Sequence, residues 1–261
     1  MKTIIDNLSV ENGKAAFVLR NKEYVLTKQE FTHFLTFILR ICAEYSEPDG
    51  SGTGGEIQLV SSAEMFVCSL LPNDSVRIKG LGLDICISGN KLLTAKANAL
   101  ELLQEMYHGA DIRRFDPVYL EHMLWIDLPF LNGFSYENAR LDELLIFSRE
   151  SYNGISITDS SYYQYLIGNN PILRRSPSDL HNQAPENRLI HCLKNMKDHQ
   201  YGKTGQYIIL YNDSPIIRDG SHRAACLHYL YGNIEIKVMR LRFEKNYYSY
   251  NCWNSGLNKP E

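Results

Sequence analysis

The stretch "DSPIIRDGSHRAACLHYLYG", residues 213–232, holds the side chains best suited to chemistry: Asp219, Gly220, Ser221, His222 and Arg223 in succession. A short apolar run precedes them. A helical pattern follows, with Ala224, Ala225, Leu227 and Leu230 on one stripe. The expected local structure is strand, turn and helix, with Ser221 as N-cap, the helix running from His222, and Gly232 ending it. The first N–H groups of a helix lack internal acceptors, and the helix dipole is positive there. Gly220 carries no Cβ and lets an anion approach the backbone. Ser221 offers a hydroxyl, and His222 and Arg223 add donors and positive charge, the arginine with a fork that fits phosphate oxygens. Together these residues predict an anion cradle, most naturally for phosphate. Asp219 has the opposite sign and would hold a Mg²⁺ bridging phosphate oxygens, act as a base, or orient a neighbour. The same five residues also suit an ordinary capped turn, and their pattern alone does not separate the two.

The elements that must position them follow from periodicity. "QYIILY" and "PIIR" predict two strands around the turn "ND", and "IEIKVMRLRF" a strand after the motif helix. "PENRLIHCLKNMKDHQ" predicts a helix opening at Pro185, a residue favoured in the first turn. Glu186 and Arg188 lie at its start. Nearer the N-terminus, residues 14–27 predict two short strands around "RNKE". Thr27 and Glu30 then have capping-box spacing ahead of a helix with Phe31, Phe34, Leu35, Ile38, Leu39 and Cys42 on its apolar positions. Residues 56–88 alternate as strands, and "NKLLTAKANALELLQEMYHG" predicts a helix stopped at Gly109. In 111–150, both "DPVYLEHMLWIDLP" and "SYENARLDELLIFSRES" carry helical patterns. The resulting expectation is an α+β chain: an N-terminal α+β domain over 1–140, a second α+β domain over 150–245, and a tail over 246–261.

Composition narrows the function classes. The chain has 261 residues and a net charge of −3, which argues against a nucleic-acid partner held by phosphate neutralisation. No run of 18 apolar residues predicts a membrane span, and the first residues lack the apolar core of a signal peptide. The six cysteines form no C-x-x-C pair, so reduced, buried thiols in a cytoplasmic protein are expected. "GSGTGG" at 50–55 spells G-x-G-x-x-G, but it follows a helix and precedes a strand, the reverse of a dinucleotide site, and is expected to be a loop. Arg174 and Arg175 could meet an anionic substrate or simply face solvent. Tyr162, Tyr163 and Tyr165 could stack on a base or sugar ring, or pack.

The run "IIRDGSHRAACLHYLYG", preceded by "QYIILY" and "ENRLIHCLKNMK", resembles the ParB/sulfiredoxin-like nucleotide-binding superfamily. The likeness covers roughly residues 180–245. It implies that Gly220, Ser221, His222 and Arg223 contact nucleotide phosphates of ATP or ADP, or of CTP, with Mg²⁺. Partitioning proteins of the superfamily carry a helix-turn-helix module after this domain, whereas here only about 20 residues follow the last strand. Sulfiredoxins place a reactive cysteine where this chain has Ser221. The D-G-S-H-R spelling is most similar to the D-G-H-H-R motif of free-serine kinases.

That likeness implies a phosphotransferase acting on a small hydroxyl-bearing metabolite, such as an amino acid or a sugar. The expected catalytic residues are Asp219, Glu186 and His222, with Asp219 also the metal ligand and Arg188 a contact to acceptor or phosphate. The kinases carry a catalytic glutamate upstream. Here His181, Asn182 and Gln183 occupy that stretch, and Asp179 and Glu186 are the nearest carboxylates. The other reading is a non-catalytic nucleotide-binding or ParB-like nucleic-acid-associated module. The expected partners are a nucleotide and a small acceptor, without membrane association, and a homo-oligomer is compatible with both readings.

Overall fold

The computed structural model describes residues 5–19, 21–45, 58–71, 75–108, 110–148, 151, 153–173, 184–199, 201–202 and 206–244. Gly109, the sequences at 50–55 and 174–183 and the tail from 246 lie outside them. The chain is α+β and divides into two compact units, Met1–Pro129 and Phe130–Glu261.

In the first unit, β1 (Ile5–Glu11), β2 (Lys14–Leu19) and β3 (Lys22–Thr27) form an antiparallel meander. Ala15, Phe17 and Leu19 of β2 alternate into the core, as a half-buried strand requires. α1 (Lys28–Tyr45) opens on the expected capping box. Thr27 Oγ1 accepts from the Glu30 N–H at 3.1 Å, and Glu30 Oε2 accepts from the Thr27 N–H at 2.8 Å. A second antiparallel sheet, β4 (Gln58–Val60), β5 (Val67–Leu70), β6 (Ser75–Gly80) and β7 (Leu83–Ser88), leads into α2 (Gly89–Met106), which packs on α1.

Residues 116–124 are helical, though not as a regular α-helix. Asp116 caps α3 (Pro117–Tyr119) by accepting from the N–H groups of Val118 and Tyr119. The chain then widens into a π turn over Leu120–Leu124. The π turn presents Glu121, fully buried, to α1. Its carboxylate accepts from Arg40 Nη1 (2.6 Å), from the Ser62 N–H (2.6 Å) and from His33 Nε2 (3.0 Å). Arg40 also donates to Glu44 at 2.9 Å, and the His33 ring stacks on Trp125 at 4.1 Å. α1 is thus buried without interruption from Phe31 to Cys42, charged residues included, because each buried charge has its partner inside the same unit.

The second unit is built on a six-stranded sheet in the order β10-β9-β12-β11-β13-β8. Here the helical reading of "SYENARLDELLIFSRES" is overturned. β8 (Leu131–Arg140) is a strand paired antiparallel with β13 (Glu235–Phe243) along its whole length, from Arg140 opposite Glu235 to Leu131 opposite Phe243. A one-turn 3₁₀ segment (Leu141–Glu143) leads to β9 (Leu145–Ser148), which pairs with β10 (Asn153–Ser156). Since β8 hydrogen-bonds to β13, it belongs with the C-terminal unit, and the chain divides after Pro129 rather than at residue 140.

β11 (Ile208–Tyr211) and β12 (Ile216–Asp219) form the expected antiparallel pair. β11 lies parallel to β13, and β12 parallel to β9. α4 (Ser161–Leu166) and α5 (Pro185–His199) pack against α6 (Ser221–Tyr231). Ile208, Leu210, Ile217 and Val238 of the sheet close with Ala224, Ala225 and Leu227 of α6 into one core. Small residues at 224 and 225 let α6 sit close to the strands. No helix among the described residues is long and apolar enough to cross a membrane.

Candidate functional site

The motif lies where the elements predict, between β12 and α6. One local detail differs. Gly220, not Ser221, is the N-cap, in the left-handed region at φ 97°, and Ser221 is the first helical residue. No side chain caps the helix. The first intrahelical bond runs from the Ala224 N–H to the Gly220 carbonyl at 2.9 Å. The N–H groups of Ser221, His222 and Arg223 therefore precede the hydrogen-bond ladder and have no acceptor within the helix.

Glycine is required at 220 for two reasons. The positive φ strains any L side chain. A Cβ there would also lie 3.0 Å from Ile208 Cγ1 and 3.1 Å from both Nε and Nη2 of Arg223. The Arg223 guanidinium thus lies against the Gly220 Cα, on the side where a Cβ would project.

Arg223 is held from two sides. Nη2 donates to Asp219 Oδ2 at 2.6 Å and to the Tyr207 carbonyl at 3.2 Å. Nε is buried without a hydrogen-bond partner. Burial disfavours the charged guanidinium, but the Asp219 carboxylate outweighs it and holds Arg223 above the usual arginine range. Asp219, the last residue of β12, keeps about a third of its side chain in solvent, while Arg223 keeps half that. The charge of Asp219 is thus already matched by its neighbour one helical turn away.

His222 points to α4, its ring tilted against Tyr162 at 4.3 Å between centroids. Tyr163 meets His228 edge to face at 5.3 Å, and Tyr165 packs at the core cluster around Leu173, Leu189 and Cys226. The three tyrosines are a packing seam between α4 and α6, with Tyr162 at the motif's edge. Glu186 stands half-buried in the first turn of α5, a place that the helix dipole favours for any acid. Among the described residues no hydrogen bond or ion pair joins it to the motif. Arg188 is half-buried one turn before Cys192 on α5, and its charge and that of Arg223 both help to hold the Cys192 thiol below its usual range. Asp179, His181, Asn182, Gln183, Arg174 and Arg175 lie outside the described residues.

A Mg²⁺ at this place would rest on Asp219 and on phosphate oxygens. Mg²⁺ at phosphate sites takes one or two carboxylates together with phosphate oxygens. Among the described residues the carboxylate of the motif, Asp219, is engaged by Arg223, and no three His, Cys, Asp or Glu gather as a metal group.

Two features escaped the sequence. On the far side of β12, Arg218 lies over the Tyr211 ring at 4.9 Å, with Nε and Nη2 buried and without hydrogen-bond partners. At the α5–α6 contact, Cys192 packs on the buried cluster of Leu173, Leu189 and Cys226, where Cys226 Sγ lies 3.8 Å from the Leu189 carbonyl. Neither pairing has a local signal, since in each the partners come from different elements. Comparison of the chain with models of known protein families, with curated proteins and with solved structures found no match.

Proposed function

We propose that the second unit binds the phosphates of a nucleotide at the N-terminus of α6, and that it serves phosphoryl transfer to a small hydroxyl-bearing metabolite. One observation carries the reading. Arg223 is fixed by Asp219 and the Tyr207 carbonyl beside a helix start whose first three N–H groups have no intrahelical acceptor. A cation and a set of backbone donors held at one helix end form an anion site of the kind phosphates use. The resemblance in D-G-S-H-R points the same way, towards ATP or ADP, with CTP as the other candidate.

In this reading Ser221 donates its hydroxyl and His222 its ring N–H to phosphate oxygens, while Arg223 neutralises charge that develops on the transferred group. Asp219 orients Arg223. Glu186 and Asp219 are the candidates for the base that takes the acceptor proton, and Arg188 for an acceptor contact. A specific observation favours the second reading, a nucleotide-binding module without catalysis: the carboxylate nearest the cradle is spent on holding Arg223.

A thermal-shift panel of ATP, ADP, CTP and GTP, with and without Mg²⁺, tests the binding. A nucleotide at 100 times its Kd that binds only folded protein adds about 2.7 kcal/mol of stability. The expected result is a rise in Tm with one nucleotide in wild type, smaller in Arg223→Lys and lost in Arg223→Ala. No rise with any nucleotide overturns the reading. Where binding holds, loss of the γ-phosphate on adding serine or a sugar marks a kinase, and its absence over a broad acceptor screen marks the non-catalytic module.

A further inference from the structure

We propose that Tyr201 is a positioning residue for the anion site: its hydroxyl fixes the peptide group between Tyr207 and Ile208, and that peptide in turn fixes Arg223. Its bearing on phosphate rests on the function proposed for this site; the tie itself does not. Tyr201 lies in the turn that follows α5. Its hydroxyl accepts from the Ile208 N–H at 2.8 Å and donates to the Lys237 carbonyl at 2.7 Å. It therefore bridges β11 to β13 where their parallel pairing begins, with Ile208 opposite Val238. The Ile208 N–H and the Tyr207 carbonyl are the two ends of one planar peptide group. A hydroxyl that holds the first end sets the direction of the second, and the second accepts from Arg223 Nη2 at 3.2 Å.

Nη2 carries two hydrogens, and each has an acceptor: Asp219 Oδ2 at 2.6 Å and the Tyr207 carbonyl. Two acceptors on one nitrogen fix the plane of the guanidinium as well as its place. Asp219 alone would leave the fork free to turn about that single bond, so the Tyr207 carbonyl settles where Nη1 and Nε point. The Tyr207 ring is braced as well. It meets Tyr201 edge to face at 6.0 Å and Tyr136 at 5.1 Å, and a Cβ at Gly202 would lie 3.1 Å from its Cε1.

The chemistry of Tyr201 suits this task. Burial pushes its phenol up to about 12, against the pull of the Ile208 N–H and of the Arg223 charge. The hydroxyl is therefore protonated at neutral pH, and it gives its one hydrogen to Lys237 while a lone pair takes the Ile208 N–H. A phenylalanine at 201 would keep the ring and its packing on the core of the second unit. It would leave the Ile208 N–H without its acceptor and the peptide free to tilt.

The test compares the guanidinium protons of Arg223 by NMR in the full-length chain and in Tyr201→Phe, the Arg223 signals being those missing from Arg223→Lys. A held Nη2 shows two separate proton signals, whereas a free one rotates about the Cζ–Nη2 bond and averages them. With no ligand present, wild type should show two signals and Tyr201→Phe one. Two signals persisting in Tyr201→Phe overturn the proposal. So does wild type alone, either by averaged Nη2 protons or by an Ile208 amide that exchanges with solvent as fast as an exposed loop amide. The consequence is read with the nucleotide that raises Tm. Tyr201→Phe should weaken its binding about tenfold, within the coupling range of residues in one hydrogen-bond network, and by less than about twofold when Arg223 is already Lys. A loss of equal size in both backgrounds marks a merely structural role and overturns the proposal. If no nucleotide binds, the phosphate reading fails, and the guanidinium signals still decide the tie.

Discussion

Replacing Glu121 by Gln tests whether the buried polar knot of the first unit stabilises it by charge or merely by shape. The carboxylate is fully buried and takes three donors: Arg40 Nη1, the Ser62 N–H and His33 Nε2. A glutamine can keep an oxygen towards Ser62 and His33, but its NH₂ then faces the Arg40 guanidinium, donor against donor. Arg40 retains Glu44 and loses its shortest contact. Breaking a buried ion pair from one side costs about 3–5 kcal/mol.

Protonation gives a second route to the same quantity. Burial pushes Glu121 up, but the hydrogen bonds from His33 and the Ser62 N–H, with the charges of Arg40 and His122, more than offset it and bring the group from 4.5 down to about 2. A lowered carboxylate contributes stability that is fully present above its unfolded value and is lost as pH falls through the folded one. That lowering, at about 1.4 kcal/mol per pH unit, amounts to about 3.5 kcal/mol lost between roughly pH 4.5 and pH 2. The two routes agree. Denaturant unfolding of wild type and Glu121→Gln at pH 7 and pH 3 is the assay. The variant should be weaker by about 3–5 kcal/mol at pH 7, and the gap should narrow at pH 3. A variant within about 1 kcal/mol of wild type at pH 7, or a gap independent of pH, would refute the reasoning.

Gly220→Ala should lower stability by about 1–2 kcal/mol, from the left-handed backbone alone, and should also move Arg223 off Asp219; calorimetry reads the first effect and loss of nucleotide-dependent stabilisation the second. Thr27→Ala removes the acceptor for the Glu30 N–H and one of the two donors to Glu30 Oε2; it should cost about 1 kcal/mol in denaturant unfolding, while Thr27→Ser should cost little.

What the sequence disclosed and what it hid follow from the range of the interactions. The Thr27–Glu30 cap, the β2–β3 pair, the Pro185 start of α5 and the strand–turn–helix at 216–231 are all encoded by neighbours within a few residues, and all are in place. Residues 131–148 carry Glu, Ala, Arg and Leu, good helix formers, yet β8 is a strand. Its partner β13 lies about a hundred residues away in the chain, and pairing along its full length outweighs a propensity of a few tenths of a kcal/mol per residue. Glu121 was invisible for the same reason: its donors come from residues 33, 40 and 62, and nothing near position 121 signals a buried charge. At the motif, residue types were legible and hydrogen-bond partners were not. The sequence placed Asp219 and Arg223 four residues apart, but only the backbone turn at Gly220 makes them a pair.

That pair sets how an anion must bind. Arg223 gives Nη2 to Asp219 and Tyr207, and its unpartnered Nε is buried against Gly220, which leaves Nη1 as the nitrogen to meet an anion. A phosphate at the helix start can take that donor and leave the Asp219 bond intact, in which case Asp219 acts as a fixed strut. Alternatively, it draws the whole fork away, and Asp219 is released at the moment a phosphate arrives. Only the second course frees a carboxylate to serve as a base. Asp219→Asn distinguishes the two. As a strut, the aspartate contributes orientation, and the neutral amide, which can still accept from Arg223, should weaken nucleotide binding. As a competitor, its charge opposes the phosphate, so the same change should tighten binding while abolishing transfer. Measuring affinity and turnover on this one variant therefore assigns Asp219 its role, and with it decides between a nucleotide-binding module and a kinase.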